Sequence, residues 1–176
     1  IEKLGFEQTM LNIIYPFMSK IGVLWQTGAI NPAQEHFISN MVRQKLISAI
    51  DSINTTVHSS SKKVLLFLPE NELHELGLLF FSYLIKNKGY QTIYLGQAVP
   101  LSDLPKIVEV SNPDIFVCNV SNPMTIGDIQ LFISKLEVIP ANKKLYIASA
   151  NIAEQAPELP ANFQLLASLK QLLVEF

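Results

Sequence analysis

The chain has 176 residues, and its 13 Lys and Arg against 15 Asp and Glu give a formal charge of −2 with no basic cluster. That argues against direct nucleic-acid binding by this segment, because phosphate neutralisation needs a concentrated positive surface. Nearly half the residues are apolar, ample for one domain or two small ones, yet no run reaches the roughly 18 apolar residues of a membrane span. The single cysteine, Cys118, leaves no internal disulfide and fits a reducing cytoplasm, and no charged-then-apolar secretion pattern opens the chain.

From Phe6 to about Thr27, Met10, Ile13, Ile14, Phe17, Ile21, Leu24 and Trp25 recur at three-and-four spacing, one apolar face of a helix. Pro16 falls inside this pattern and should kink or restart the helix, and Gly28 is a plausible stop. Asn31-Pro32 opens a second helix, with Asn as N-cap and Pro at the first helical position. Its stripe is Phe37, Ile38, Met41, Leu46, Ile47 and Ile50. Two helices alone bury little surface. With no initiator Met at the start, the expectation is a portion of a four-helix bundle whose first helices lie upstream.

Asn54 to Lys63 is polar and Ser-rich and reads as an exposed linker that includes His58. Beyond it the pattern alternates. Strands are expected at Val64–Leu68, Gln91–Leu95, Asp114–Val120, Lys144–Ala148 and Phe163–Leu166. Helices are expected at Leu73–Lys88, at Leu101–Ser111 opened by Ser102, at Thr125–Val138 and at Ala167–Phe176. Such alternation implies a parallel sheet covered on both faces, and right-handed crossovers make it a small doubly wound domain. The expected architecture is α/β: a partial helical bundle over 1–55, a linker over 56–63, and a Rossmann-like (flavodoxin-like) sheet of about five strands over 64–176.

Directly after the first strand pattern stands Glu72-Leu73-His74-Glu75-Leu76-Gly77. It places a metal-competent imidazole, a carboxylate two residues before it and a glycine three residues after it at a strand-to-helix turn. In open α/β sheets that turn borders the ligand crevice. An acidic residue near a helix start is also favoured by the macrodipole, which would account for Glu72 or Glu75 but not for a His between them.

The run resembles the Asp/Glu-x-His-x-x-Gly signature of cobalamin-binding domains. Upstream, Trp25, nine residues, and Glu35-His36 resemble the helical cap of light-sensing, cobalamin-dependent MerR-type transcriptional repressors of the CarH kind. The resemblance covers nearly the whole chain and is strongest from Ile14 to Pro100. It implies that His74 is the lower axial ligand of cobalt, with Glu72 accepting the other ring N–H and fixing the tautomer. It implies that Gly77 lets the helix approach the cofactor's nucleotide tail. Trp25, Glu35 and His36 would cap the upper face of the corrin, where adenosylcobalamin carries its adenosyl group.

Three positions depart from the pattern. Where the family has Ser-x-Leu after the third strand, this chain has Asn119-Val120-Ser121. Where the family has Gly-Gly after the fourth, Ala148-Ser149 stand, adding side chains where the nucleotide tail would pass. The photoreceptors' His directly after the Trp is Gln26 here, an amide in place of an imidazole, so no bis-histidine photoproduct through this position is expected. The resemblance implies a non-enzymatic sensory region that self-associates as dimer or tetramer and reaches DNA only through an N-terminal domain outside this sequence. Two other readings stay open: a degenerate, cofactor-free regulator acting as a protein-interaction module, and a corrinoid carrier of a methyltransferase system. Cys118, in a predicted buried strand, is read as a small buried hydrophobe with no further role.

Overall fold

The computed structural model of the chain describes residues 4–54 and 61–176. The linker expectation and His58 fall largely outside the described residues. The chain divides into two compact units, Ile1–Ile53 and Asn54–Phe176.

The first unit is a helical pair. Its opening segment runs as a short α-helix, α1 (Phe6–Thr9), a π-turn (Met10–Ile14) and α2 (Tyr15–Gln26). Of the two outcomes expected at Pro16, a kink or a restart, the helix restarts: α2 begins at Tyr15 with Pro16 in its first turn, directly after a π-bulge. Proline brings no N–H to the helical ladder, and widening the preceding turn accommodates that loss without breaking the rod. Gly28, at φ 73°, closes the helix as its composition suggested. α3 (Pro32–Asp51) then starts from a full capping box: the Gln34 N–H donates to Asn31 Oδ1 at 3.0 Å and the Asn31 N–H to Gln34 Oε1 at 3.0 Å. The apolar stripes are only partly used. Ile21 and Leu46 are buried, whereas Phe17, Leu24, Trp25, Phe37, Met41 and Ile47 are exposed. Two packed helices can cover only a narrow seam of each other.

The second unit is a five-stranded, all-parallel sheet of order β2-β1-β3-β4-β5, formed by β1 (Lys63–Pro69), β2 (Gln91–Val99), β3 (Ile115–Asn119), β4 (Lys144–Ala148) and β5 (Phe163–Leu166). This is the expected flavodoxin-like winding. β1 is buried from Val64 to Pro69, as a strand covered on both faces must be. One face carries Leu65, Phe67, Phe116, Cys118 and Ile147 against α5 (Leu104–Ser111), α6 (Ile126–Leu136) and α7 (Ala150–Gln155). α4 (Glu75–Asn87), which packs on β1, β2 and β3, buries Leu78, Phe80, Phe81, Leu84 and Ile85 outside that cluster. α8 (Leu169–Glu175) packs on β5.

Several boundaries differ from the sequence expectations. α4 begins at Glu75, leaving His74 as its N-cap residue rather than an internal one. The helix expected at Ser102 begins as a 3₁₀ turn (Leu101–Asp103) ahead of Pro105, whose ring suits the first helical positions. β2 runs on to Val99 through two register shifts, with Gly96 at φ 80° and Ala98 at φ 52°. α7 was not expected at all. It is six residues long, with Ser149 as its N-cap and Ala156 left-handed at its end.

Candidate functional site

The strand order reverses beside β1, and the loops leaving the carboxyl ends of β1 and β3 meet there. The β1–α4 loop turns at Asn71, a residue in the left-handed region that Asn tolerates, and brings the Glu72 carboxylate inward, 2% exposed. Each oxygen of that carboxylate takes two donors. Oε1 accepts the His74 backbone N–H at 2.9 Å and lies 2.6 Å from His74 Nδ1. Oε2 accepts the backbone N–H groups of Ser121 at 2.7 Å and Asn122 at 2.9 Å. Burial pushes this carboxyl up, but the N–H bonds from Asn122, His74 and Ser121, with the imidazole, outweigh it and hold the group below its usual range.

An ionised carboxylate can only accept, so His74 Nδ1 carries the proton toward Glu72. In the neutral ring the Nε2 lone pair is then left for another partner. The His74 side chain is 65% exposed, so that nitrogen is accessible. A buried carboxylate that fixes the tautomer and raises the basicity of the far nitrogen is the usual support of a metal-binding histidine. Glu72 is therefore not a helix-start carboxylate. It precedes α4 by three residues, and the first-turn acid is Glu75, itself buried with Tyr94 Oη donating to its Oε1 at 2.9 Å.

The other α/β positions singled out by sequence collect at the same edge. Asn119 and Ala148 pair across β3 and β4. Gly77 faces Asn119: a Cβ on that glycine would lie 3.3 Å from Asn119 Nδ2. What the glycine admits in this chain is thus the Asn119 carboxamide, which is buried and donates to Ser121 Oγ at 3.3 Å. Ser149 is buried too, and the Ile152 N–H donates to its Oγ at 3.3 Å, so the hydroxyl serves as the cap of α7. Trp25, Glu35 and His36 lie in the helical unit, the first near the end of α2 and the other two in the opening of α3. Trp25 is half-exposed, and His36 Nδ1 sits 2.7 Å from Glu35 Oε2.

Residues not anticipated from sequence hold this edge in place. Gln97 Nε2 donates to the Leu73 carbonyl at 2.7 Å, and Asn122 Nδ2 to the Asn71 carbonyl at 3.2 Å. From α7, Asn151 Oδ1 accepts the Met124 N–H and Gln155 Nε2 donates to the Met124 carbonyl, both at 2.8 Å. A cavity of about 390 Å³ opens beside Glu72, bordered by Glu70, Asn122, Leu101, Phe132, Asp128 and Lys135. Cys118 is wholly buried, and burial, with the Glu72 charge, pushes its thiol up, as for an inert core thiol. Among the described residues no three His, Cys, Asp or Glu side chains gather to hold a free metal ion, and no helix is long and apolar enough to cross a membrane.

A family model described as "B12 binding domain" matches residues 1–48. Two curated relatives come from Myxococcus xanthus. The HTH-type transcriptional repressor CarH is 29% identical over 139 residues, 78% of this chain and 46% of the relative. The HTH-type transcriptional repressor CarA is 28% identical over 102 residues, 58% of this chain and 33% of the relative. The chain thus spans less than half the length of these relatives. Among solved structures, a Methanosarcina barkeri monomethylamine corrinoid protein shares the fold with a TM-score of 0.62 at 14% identity, over 90% of this chain and 76% of that one. The methanol:cobalamin methyltransferase complex of the same organism gives 0.50 at 14% identity, over 85% and 57%. The chain is therefore homologous, at modest identity, to two transcriptional repressors, and it shares its fold with corrinoid proteins.

Proposed function

We propose that this chain is the corrinoid-binding sensory region of a transcriptional regulator, with His74 as the lower axial ligand of the cobalt. The observation that carries the reading is the Glu72–His74 pair: a buried, ionised carboxylate orients an exposed imidazole with Nε2 outward. A single nitrogen donor suits a metal whose equatorial positions are filled by its own macrocycle, and imidazole is a good donor to cobalt. Bound there, a corrinoid such as adenosylcobalamin supplies a cobalt–carbon bond that light can break. This chain's own residues fix the imidazole and, through Trp25, Glu35 and His36, offer an aromatic and polar surface of the kind that packs on a flat ligand. The match of residues 1–48 to a B12-binding model supports a part for the helical unit in holding the corrinoid.

Regulation follows from population shift. A ligand that binds one state of the protein better biases self-association, as dimer or tetramer, and hence operator binding by an N-terminal DNA-binding domain beyond this sequence. The sequence homology to two repressors favours this over a corrinoid carrier, for which only the fold speaks. The test is direct. Protein incubated with adenosylcobalamin in the dark and desalted should retain a corrin absorption band, and His74→Ala should alter that band. Protein left colourless by adenosylcobalamin and by cobinamide alike overturns the cofactor reading and leaves the cofactor-free interaction module. Identical oligomer distributions with ligand, without it and after illumination overturn the switch.

A further inference from the structure

A cobalamin held from below by His74 has given up its own base, and the nucleotide that carried the base must then lie beside the lower face. Two places beside the β1–α4 loop could be asked to take it within the α/β unit. The first is the crevice between the opening turn of α4 and the ends of β3 and β4. It is filled: the Asn119 carboxamide lies against the open side of Gly77, 3.3 Å from where a Cβ would stand. Its polar groups are also engaged within the fold. Asn119 donates to Ser121, the Ser149 N–H donates to the Leu166 carbonyl at 3.0 Å, and the Ser149 hydroxyl caps α7. Asn119, Ala148 and Ser149 are all buried.

The second opening is the cavity of about 390 Å³ beside Glu72. Asn119 points to the α4 side, whereas its neighbours Cys118 and Val120 belong to the opposite core, as do Leu101 and Phe132 of the cavity floor. This space is large enough for part of a nucleotide, but its charge is wrong. Glu70, Glu72 and Asp128 border it against Lys135 alone. A phosphodiester entering there would meet like charge, and the Glu72 carboxylate already has all its donors.

We infer that the site takes a corrinoid without its lower nucleotide, and that Asn119 is the residue that sets this preference. The inference rests on the function proposed above and names its ligand class. The corrin ring and its cobalt are recognised through His74. The nucleotide arm is disfavoured, by volume on the α4 side and by charge on the other. A chain built this way responds to incomplete corrinoids that carry the ring but no base.

The test titrates the full chain in the dark with aquocobinamide and, separately, with hydroxocobalamin, following the absorption change on imidazole ligation and checking by equilibrium dialysis. Cobinamide should bind at least tenfold more tightly. Part of that preference would exist on any imidazole, since cobalamin must first release its own base, so the deciding reading is the ratio in Asn119→Ser and Asn119→Gly. Shortening this side chain should narrow the cobinamide-to-cobalamin preference by at least fivefold, and a ratio is insensitive to a general loss of folded protein. Equal or tighter binding of hydroxocobalamin by the unaltered chain overturns the inference, as does an unchanged ratio in both variants. Binding of neither corrinoid overturns the proposed function itself.

Discussion

The Glu72→Gln substitution tests the centre of the site because it keeps the shape and removes the charge. One carboxylate now serves four donors, two on each oxygen. Glutamine keeps one acceptor oxygen and turns an NH2 toward the other pair of N–H groups. Either the His74 side or the Ser121–Asn122 side must lose its acceptor. Hydrogen bonds to a charged acceptor contribute about 1.5–3 kcal/mol each, and relief by water at the loop surface returns some of that, so the expected destabilisation is about 3 kcal/mol. Urea unfolding followed by circular dichroism measures it. Amide exchange at His74, Ser121 and Asn122, faster on whichever side loses its acceptor, localises it to the α/β unit.

The pH dependence supplies a second check with a fixed sign. Glu72 is held below its usual range in the folded chain. A carboxyl of that kind adds stability that is fully present above its unfolded value, about 4.3, and is lost as pH falls through the lower folded value. Glutamine does not titrate. The part of the gap that belongs to this carboxylate should therefore shrink below about pH 4. A gap under about 0.5 kcal/mol at neutral pH, within the scatter of ordinary surface substitutions, or one that persists undiminished at pH 3, would refute the assigned role of this carboxylate.

Other outcomes are expected elsewhere. Gly77→Ala gains about 1 kcal/mol of helix propensity but presses on the Asn119 carboxamide, so its net effect on unfolding free energy should be near zero; paired with Asn119→Ala it should stabilise, and strict additivity in that cycle would show that the two positions do not touch. Asn31→Ala removes the capping box of α3 and should cost about 1 kcal/mol, read as lost helicity in thermal melts, whereas Asn31→Ser should restore most of it. Ser149→Ala removes the cap of α7 and should cost about 1 kcal/mol, with faster amide exchange at Ile152 and at Met124, which α7 holds through Asn151.

The sheet was legible because its strands are buried on both faces and therefore read as nearly unbroken apolar runs, Val64–Leu68 above all. The winding followed from alternation with helices. The π-turn was not legible, because Pro16 announces only that something must change and not which neighbouring turn widens. α7 was hidden for a different reason. Six residues with one fully buried apolar member, Ile152, give no period, and Pro157 and Pro160 beyond it punctuate a loop. At the candidate site, Glu72 and His74 were visible as a local pair two residues apart. The donors on the far oxygen of Glu72 were not, since the Ser121 and Asn122 N–H groups belong to the backbone 49 and 50 residues away and carry no side-chain signature. The partnership of Gly77 with Asn119 was equally invisible. It depends on how closely α4 lies against β3, which no spacing along the chain encodes.

The loop that carries His74 turns at Asn71 and is strapped from β2 by Gln97 and by Ala98, whose N–H donates to the Glu72 carbonyl at 3.4 Å; both Asn71 and Ala98 are non-glycine residues in the left-handed region. Alanine has no side-chain reason to adopt that conformation, at a cost of about 1 kcal/mol. The fold bears this cost once, when the sheet assembles, and the imidazole is aimed before any partner arrives. A ligand meeting it has little conformational entropy left to remove, so preorganisation, more than extra contacts, would set how tightly a metal is gripped there.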